Sequence, residues 1–282
     1  MSFRPDYAVP TDRRAFEIPA ANAVGCLLIH GFMGSPKSSR PLADHLAEAG
    51  IHCMGPLLPG HGHFPDKLHN VPSQAWLEEV EAWLLRLREQ CEEIFIVGHS
   101  MGGIIGAYLA LKYNNVRGLV LIAPPYVVPD WRMNLAWLIR HIKPWFKPWN
   151  SNSLKSLARQ RVLDFDPTID IDDPDLQAWL AETTRFPISA LDEMRKMTTL
   201  GRTLWPQLTL PVMVFQGVND IAKTPEAAQR VYDHIKNGNK EMVYFANGGH
   251  ELMRPHSPLH QEVWARIYSF IRTHAKSPLP AP

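Results

Sequence analysis

The sequence predicts an α/β protein: a mostly parallel, doubly wound sheet with a helical insertion near its middle. Three observations carry that expectation. Short apolar, β-branched runs recur along 282 residues with helix-length segments between them. Most of these runs are apolar throughout and do not alternate, as parallel strands covered on both faces should be. The alternation then stops between Pro124 and Pro206, where tryptophan and proline accumulate.

In chain order, strands are expected at Cys26–His30, His52–Pro56, Ile94–Val97, Leu119–Ile122, Val212–Gln216 and Met242–Phe245. Helices are expected at Ser38–Ala49, Ser73–Glu89, Met101–Tyr113, Pro225–Lys236 and His260–His274. The second helix should have Ser73 as its N-cap and bury a stripe of Trp76, Leu77, Val80, Trp83, Leu84 and Leu87. Strand and helix alternating in this way imply right-handed crossovers in one sheet.

Residues 124–206 contain no convincing strand but hold Trp131, Trp137, Trp145, Trp149, Trp179 and Trp205, and nine of the 25 prolines. Short helices are expected there, one over Asp130–His141, with the acidic stretch Asp164–Asp175 as a loop. An apolar insertion between parallel strands reads as a cap over the carboxyl edge of the sheet, where α/β proteins bind ligands. Most of its tryptophans should hold the insertion together, and one or two should face substrate. The expected division is a core over 1–123, a cap over 124–206 and the rest of the core over 207–282. The Pro-rich end from Lys276 is expected to be a loose tail.

Composition narrows the function classes. Apolar residues are 45% and charged residues 20%, and 29 basic against 28 acidic side chains leave a net charge of +1. That balance argues against a nucleic-acid partner, which calls for a basic excess. The N-terminal segment carries Arg4, Asp6, Asp12, Arg13 and Arg14 and shows no apolar signal core. Ile94–Leu111 is eighteen residues without a formal charge, but its centre, Gly98-His99-Ser100-Met101-Gly102-Gly103, suits a turn better than a membrane span. Cys26, Cys53 and Cys91 are odd in number and far apart, which fits a reducing, cytoplasmic setting better than a disulfide framework.

The chemistry begins at Gly98-His99-Ser100-Met101-Gly102, a G-x-S-x-G pattern between an apolar strand and an apolar helix. A serine there sits on a strained strand-to-helix turn with its hydroxyl lifted above the sheet. It needs a base, and the base needs an orienting carboxylate. Asp220 follows the strand ending at Gln216, and His250 follows the strand ending at Phe245, so both belong at the same sheet edge as Ser100. His234, His260, His274 and Asp233 fall on helices, His141 lies in the insertion, and His256 is expected to open a helix. The oxyanion formed in acyl transfer needs two N–H donors. Met101 supplies one as the residue after the serine, and Phe32, in His30-Gly31-Phe32-Met33-Gly34, supplies the other.

These segments, with Ser35-Pro36 and Pro59-Gly60-His61-Gly62, resemble the α/β-hydrolase superfamily, and within it bacterial carboxylesterases and monoacylglycerol lipases. The resemblance implies Ser100 as nucleophile, Asp220 and His250 as its partners, and Phe32 and Met101 as oxyanion donors. It also implies an α/β-hydrolase fold with a helical cap inserted after the sixth strand. The insertion here is longer than the cap of the bacterial monoacylglycerol lipases. The expected activity is hydrolysis of small-molecule carboxylic esters of short to medium acyl chain. A C–C bond hydrolase, a lactonase or a perhydrolase could use the same triad, and a non-catalytic receptor could share the fold.

No cofactor is expected. Gly98-x-x-x-Gly102-Gly103 lacks both the dinucleotide-binding spacing and the P-loop lysine, and His250-Glu251-Leu252-Met253-Arg254 lacks the second histidine of a zinc-protease helix. His61 and His63 could bind a metal, but their glycine-flanked setting reads as a structural loop. No stable membrane insertion is expected, and the sequence leaves the oligomeric state open.

Overall fold

A computed structural model describes residues 8–20, 22–127, 135–151, 155–165, 168–222 and 224–280. Among the described residues the central sheet contains seven strands, β1 (Phe16–Ile18), β2 (Val24–Ile29), β3 (His52–Gly55), β4 (Glu93–His99), β5 (Val116–Ile122), β8 (Val212–Gly217) and β9 (Lys240–Phe245). Their order across the sheet is β1-β3-β2-β4-β5-β8-β9, and only β1 runs antiparallel to its neighbour. In β2, β4 and β8 every residue is buried, whereas the edge strand β9 exposes Glu241 and Tyr244. That contrast explains why the central strands are legible as unbroken apolar runs.

Helices cover both faces. α2 (Ser73–Gln90), α3 (Met101–Lys112) and α8 (Pro225–His234) pack on one face, where Ile96, Leu119, Ile104, Trp76 and Val231 share a core. α1 (Arg40–Glu48) and α9 (His260–His274) pack on the other with Phe95, Val120, Phe215, Leu42 and Ile267. The α2 stripe buries as expected, with Trp83 half-buried and its indole N–H donating to Glu79 Oε1 at 2.9 Å.

The insertion follows β5, the fifth strand in chain order. Among the described residues five strands precede the insertion, and not the six expected. Between β5 and β8 lie α4 (Ala136–Ile139), β6 (Trp145–Phe146), α5 (Lys155–Phe165), α6 (Pro174–Thr183), β7 (Phe186–Pro187) and α7 (Ile188–Leu204). β6 and β7 pair antiparallel, so this region does contain strands, each too short to leave a sequence pattern. Of the helix expected over Asp130–His141, residues 130–134 lie outside the described residues, and only Ala136–Ile139 is α-helical in the rest. The acidic stretch is a loop only in part. Asp164 belongs to α5, and Asp175 lies in the first turn of α6, which Asp173 caps by accepting from the amides of Asp175 and Leu176.

Three further expectations change. Ser73 is the first residue of α2 and not its N-cap, because the Glu193 carboxylate of α7 accepts both its amide (2.9 Å) and its hydroxyl (2.7 Å) hydrogens. His256 lies in a turn ahead of α9, which begins at His260. The C-terminal segment is pinned and not loose. The buried Glu93 carboxylate accepts from the amides of Lys276 and Ser277 and from the Ser277 hydroxyl at 2.8–3.1 Å, and Tyr268 donates to the Pro280 carbonyl at 2.8 Å. Burial pushes the Glu93 carboxyl up, but these donors and Arg117 hold it below its usual value.

Candidate active site

β4 runs without interruption into Ser100, whose backbone is forced to φ 50°, ψ −117°, a region that L-residues avoid and that costs of order 1–3 kcal/mol. The surroundings hold it there. Ser100 N–H donates to the Ile122 carbonyl of β5 at 2.7 Å, and α3 starts at the next residue. The flanking glycines are required by contact. A Cβ on Gly98 would sit 2.5 Å from the Gly103 backbone, and one on Gly102 would sit 2.2 Å from the Ile29 carbonyl oxygen of β2. The turn therefore closes only with hydrogen at both positions, which is the physical content of the motif.

Asp220 and His250 meet. Asp220 follows β8, His250 follows β9, and His250 Nδ1 lies 2.7 Å from Asp220 Oδ2 with both side chains buried. The Ala222 amide donates to Asp220 Oδ1 at 2.8 Å, and Gln216 Nε2 approaches Oδ2 at 3.4 Å. A carboxylate on Nδ1 fixes the proton on that nitrogen and leaves Nε2 with a lone pair able to accept one. Ser100, Asp220 and His250 all stand at the carboxyl edge of the parallel strands. His234 and His274 end helices and His260 begins one, so helix placement removes these alternatives as expected.

The other half of the site is the loop after β2. A Cβ on Gly31 would lie 3.1 Å from Ser100 Cβ, so the loop backbone rests directly on the serine, with Phe32 next in sequence. His30 braces the loop from beneath. Its Nδ1–H donates to the Gly31 carbonyl at 2.9 Å while its Nε2 accepts the Leu58 amide hydrogen at 3.2 Å. The Phe32 ring stands edge-on to His61 and to Trp76, each at 6.1 Å. Burial depresses His30 to about 3 and His61 to about 4, so both rings are neutral at pH 7.

The tryptophans of the insertion mostly pack. Trp205 is fully buried, and Trp149 packs with Ile171 and Leu180 in a small core of the insertion. Trp145 is sandwiched between His69, stacked at 4.6 Å, and the Arg185 guanidinium at 4.3 Å. Trp179 meets Phe64 of the loop after β3 at 5.8 Å. Four of the six tryptophans thus hold the insertion together or to the core, Trp137 is exposed, and Trp131 lies outside the described residues.

Among the described residues one group could reach a metal by distance, namely His99, His250 and Glu251. Its donor set fits poorly, because His99 Nε2 faces the His250 carbonyl at 3.1 Å and His250 Nδ1 is engaged by Asp220. His61 turns Nδ1 to the Pro59 carbonyl at 3.1 Å. The sequence reading passed over His99, Gln216 and the Ala222 amide. Of these only His99 carried a signal, its place beside Ser100.

Comparison with known proteins bears on the family and the fold. Residues 21–256 match the family described as serine aminopeptidase S33, Hydrolase_4. A thermostable monoacylglycerol lipase of Bacillus sp. (strain H-257) is 28% identical over 227 residues, covering 80% of this chain and 82% of the relative. A carboxylesterase of Bacillus subtilis (strain 168) is 23% identical over 242 residues, covering 84% and 89%. The fold matches that of a metagenome-derived lipolytic enzyme with a TM-score of 0.77 at 21% identity, over 95% of this chain and 100% of that one. It also matches a Paleococcus ferrophilus monoacylglycerol lipase with a TM-score of 0.70 at 20% identity, over 93% and 98%. Sheet order, the turn at Ser100 and the family match over most of the sequence lead to one assignment: the chain is an α/β hydrolase and belongs to the serine aminopeptidase S33 family.

Proposed function

We propose that the chain is a serine hydrolase that cleaves carboxylic esters of short to medium acyl chain, in the manner of a carboxylesterase or monoacylglycerol lipase. The observation that carries the reading is the buried 2.7 Å contact between His250 and Asp220 at the sheet edge that also presents the strained Ser100. His250 Nε2 takes the Ser100 hydroxyl proton as Oγ attacks the ester carbonyl. The Phe32 and Met101 amides receive the oxyanion, and the protonated His250 returns its proton to the departing alcohol. Water, deprotonated by the same base, then frees the acid from the acyl-enzyme. Asp220 holds the tautomer throughout. The ester-hydrolysing relatives support this reaction class.

Residues 1–123 and 207–282 form the catalytic core in this reading, and residues 124–206 form the cap. Among the described residues no helix is long and apolar enough to cross a membrane. Cys26, Cys53 and Cys91 are buried free thiols, and burial raises both Cys53 and Cys91, the latter to about 11. Buried free thiols support a reducing, cytoplasmic setting for this enzyme acting on a small-molecule ester.

The test is a p-nitrophenyl ester series from acetate to palmitate, with triglyceride emulsion and an aminoacyl p-nitroanilide beside it. Each CH₂ of the acyl chain that leaves water on binding adds up to about 0.8 kcal/mol, roughly fourfold in kcat/KM, until the chain outgrows the site. We expect a maximum at short to medium chains and slow triglyceride hydrolysis. Growth through palmitate with rapid emulsion turnover would make the protein a true lipase, and preference for the anilide would make it a peptidase.

A further inference from the structure

His99 is the last residue of β4, stands one position before Ser100, and is buried. Its ring lies between the two halves of the site. On one side Nε2 is 3.1 Å from the His250 carbonyl oxygen, and the two imidazoles lie 4.6 Å apart at 51°. On the other, the Gly31 backbone comes so close that an added Cβ would be 3.4 Å from His99 Nδ1 and 3.2 Å from the His99 carbonyl oxygen. A carbonyl accepts only from a donor, so His99 keeps its proton on Nε2.

We propose that His99 is a positioning residue that fixes the backbone of the His250 loop through its Nε2–H and thereby sets where the His250 ring meets Ser100. The inference deepens the triad reading and rests on it. Asp220 fixes the Nδ1 edge of His250, but a ring held at one edge still follows its own Cα. That Cα is approached through Ala246-Asn247-Gly248-Gly249, whose glycines restrict the backbone weakly. Backbone hydrogen bonds hold this loop at Gly248, and a donor rooted in a buried central strand supplies a fixed point at the His250 carbonyl itself. Because the same ring packs on Gly31, the base and the oxyanion loop are also held at a set spacing.

The experiment compares the full-length wild type with His99→Phe, which keeps a ring without the donor, and His99→Gln, which keeps an amide N–H donor. A displacement of about 1 Å at a reacting group can cost on the order of 100-fold, so His99→Phe should lower kcat by roughly that factor with KM nearly unchanged. His99→Gln should recover most of the loss. A wild-type kcat in His99→Phe, a loss confined to KM, or a His99→Gln no better than His99→Phe would overturn the proposal. ¹⁵N-histidine NMR of the wild type tests it without any variant. His99 should be protonated at Nε2, and an Nδ1–H tautomer would overturn it. Fluorophosphonate labelling of Ser100 in the wild type separates the two claims. An unlabelled wild type refutes the triad reading, whereas a labelled wild type with an indifferent His99→Phe refutes only the role of His99.

Discussion

Acid should destabilise this protein before its carboxylates titrate, because two histidines beside the loop after β2 are held neutral. Burial takes His30 from 6.5 to about 3 and His61 from 6.5 to about 4. A proton on His30 Nε2 would remove the acceptor of the Leu58 amide and place a cation beside His61 and His99. Between the folded and unfolded values the unfolded chain binds the extra proton, so stability is whole above about pH 6.5 and declines as the pH falls. The slope is about 1.4 kcal/mol per pH unit for each histidine. Together they remove about 5 kcal/mol between pH 6 and pH 4, comparable with the entire stability of many domains. His63, also depressed by burial, adds in the same direction, while Asp66, raised above 3.8 by burial, acts in the opposite one. Glu93 and Glu193 are held below 4.5 and contribute only under that value. The assay is urea unfolding followed by tryptophan fluorescence in half-unit steps from pH 7.5 to 4.5, with His61→Phe run alongside. His61→Phe should reduce the slope by about 1.4 kcal/mol per pH unit, the share of one histidine. Constant stability from pH 7 to 5, or an unchanged slope in His61→Phe, would refute the reasoning.

Gly102→Ala places a methyl 2.2 Å from the Ile29 carbonyl, and because backbone cannot yield as a side chain can, ester turnover should fall by about 100-fold as the Ser100 turn shifts. Full kcat/KM in that variant would contradict the close approach. Glu93→Gln replaces a charged acceptor of the Lys276 and Ser277 amides and should cost about 2 kcal/mol in urea unfolding, with faster proteolysis of the C-terminal segment. An equally protected tail would refute its pinning.

The parts of this fold that were legible in the sequence share one property: their signal is local. β4, β5 and β8 show because strands covered on both faces carry unbroken apolar stretches, here Ile94–Val97, Leu119–Ile122 and Val212–Phe215. The Ser100 turn shows because its glycines are dictated by contacts within a strand–turn–helix unit. Asp220 and His250 could be paired because each directly follows a recognisable strand, and topology brings those loops to one edge. What escaped depends on partners far along the chain. Glu93 and Ser277 are 184 residues apart and Ser73 and Glu193 are 120 apart, and neither pair leaves a pattern in either segment. His99 acts on a backbone carbonyl, an acceptor that every residue carries. β1, β6 and β7 are two or three residues long, below the length at which alternation can be read.

The central claim is that Ser100 is the nucleophile of an ester hydrolase, activated by His250 and Asp220. Treatment of the intact protein with a fluorophosphonate, followed by peptide mass spectrometry and parallel turnover of p-nitrophenyl butyrate, tests it most directly. The account predicts a single adduct on the peptide carrying Ser100, loss of turnover in step with labelling, and neither labelling nor turnover in a folded Ser100→Ala protein. An adduct on another residue, or ester turnover that persists in Ser100→Ala, would contradict it.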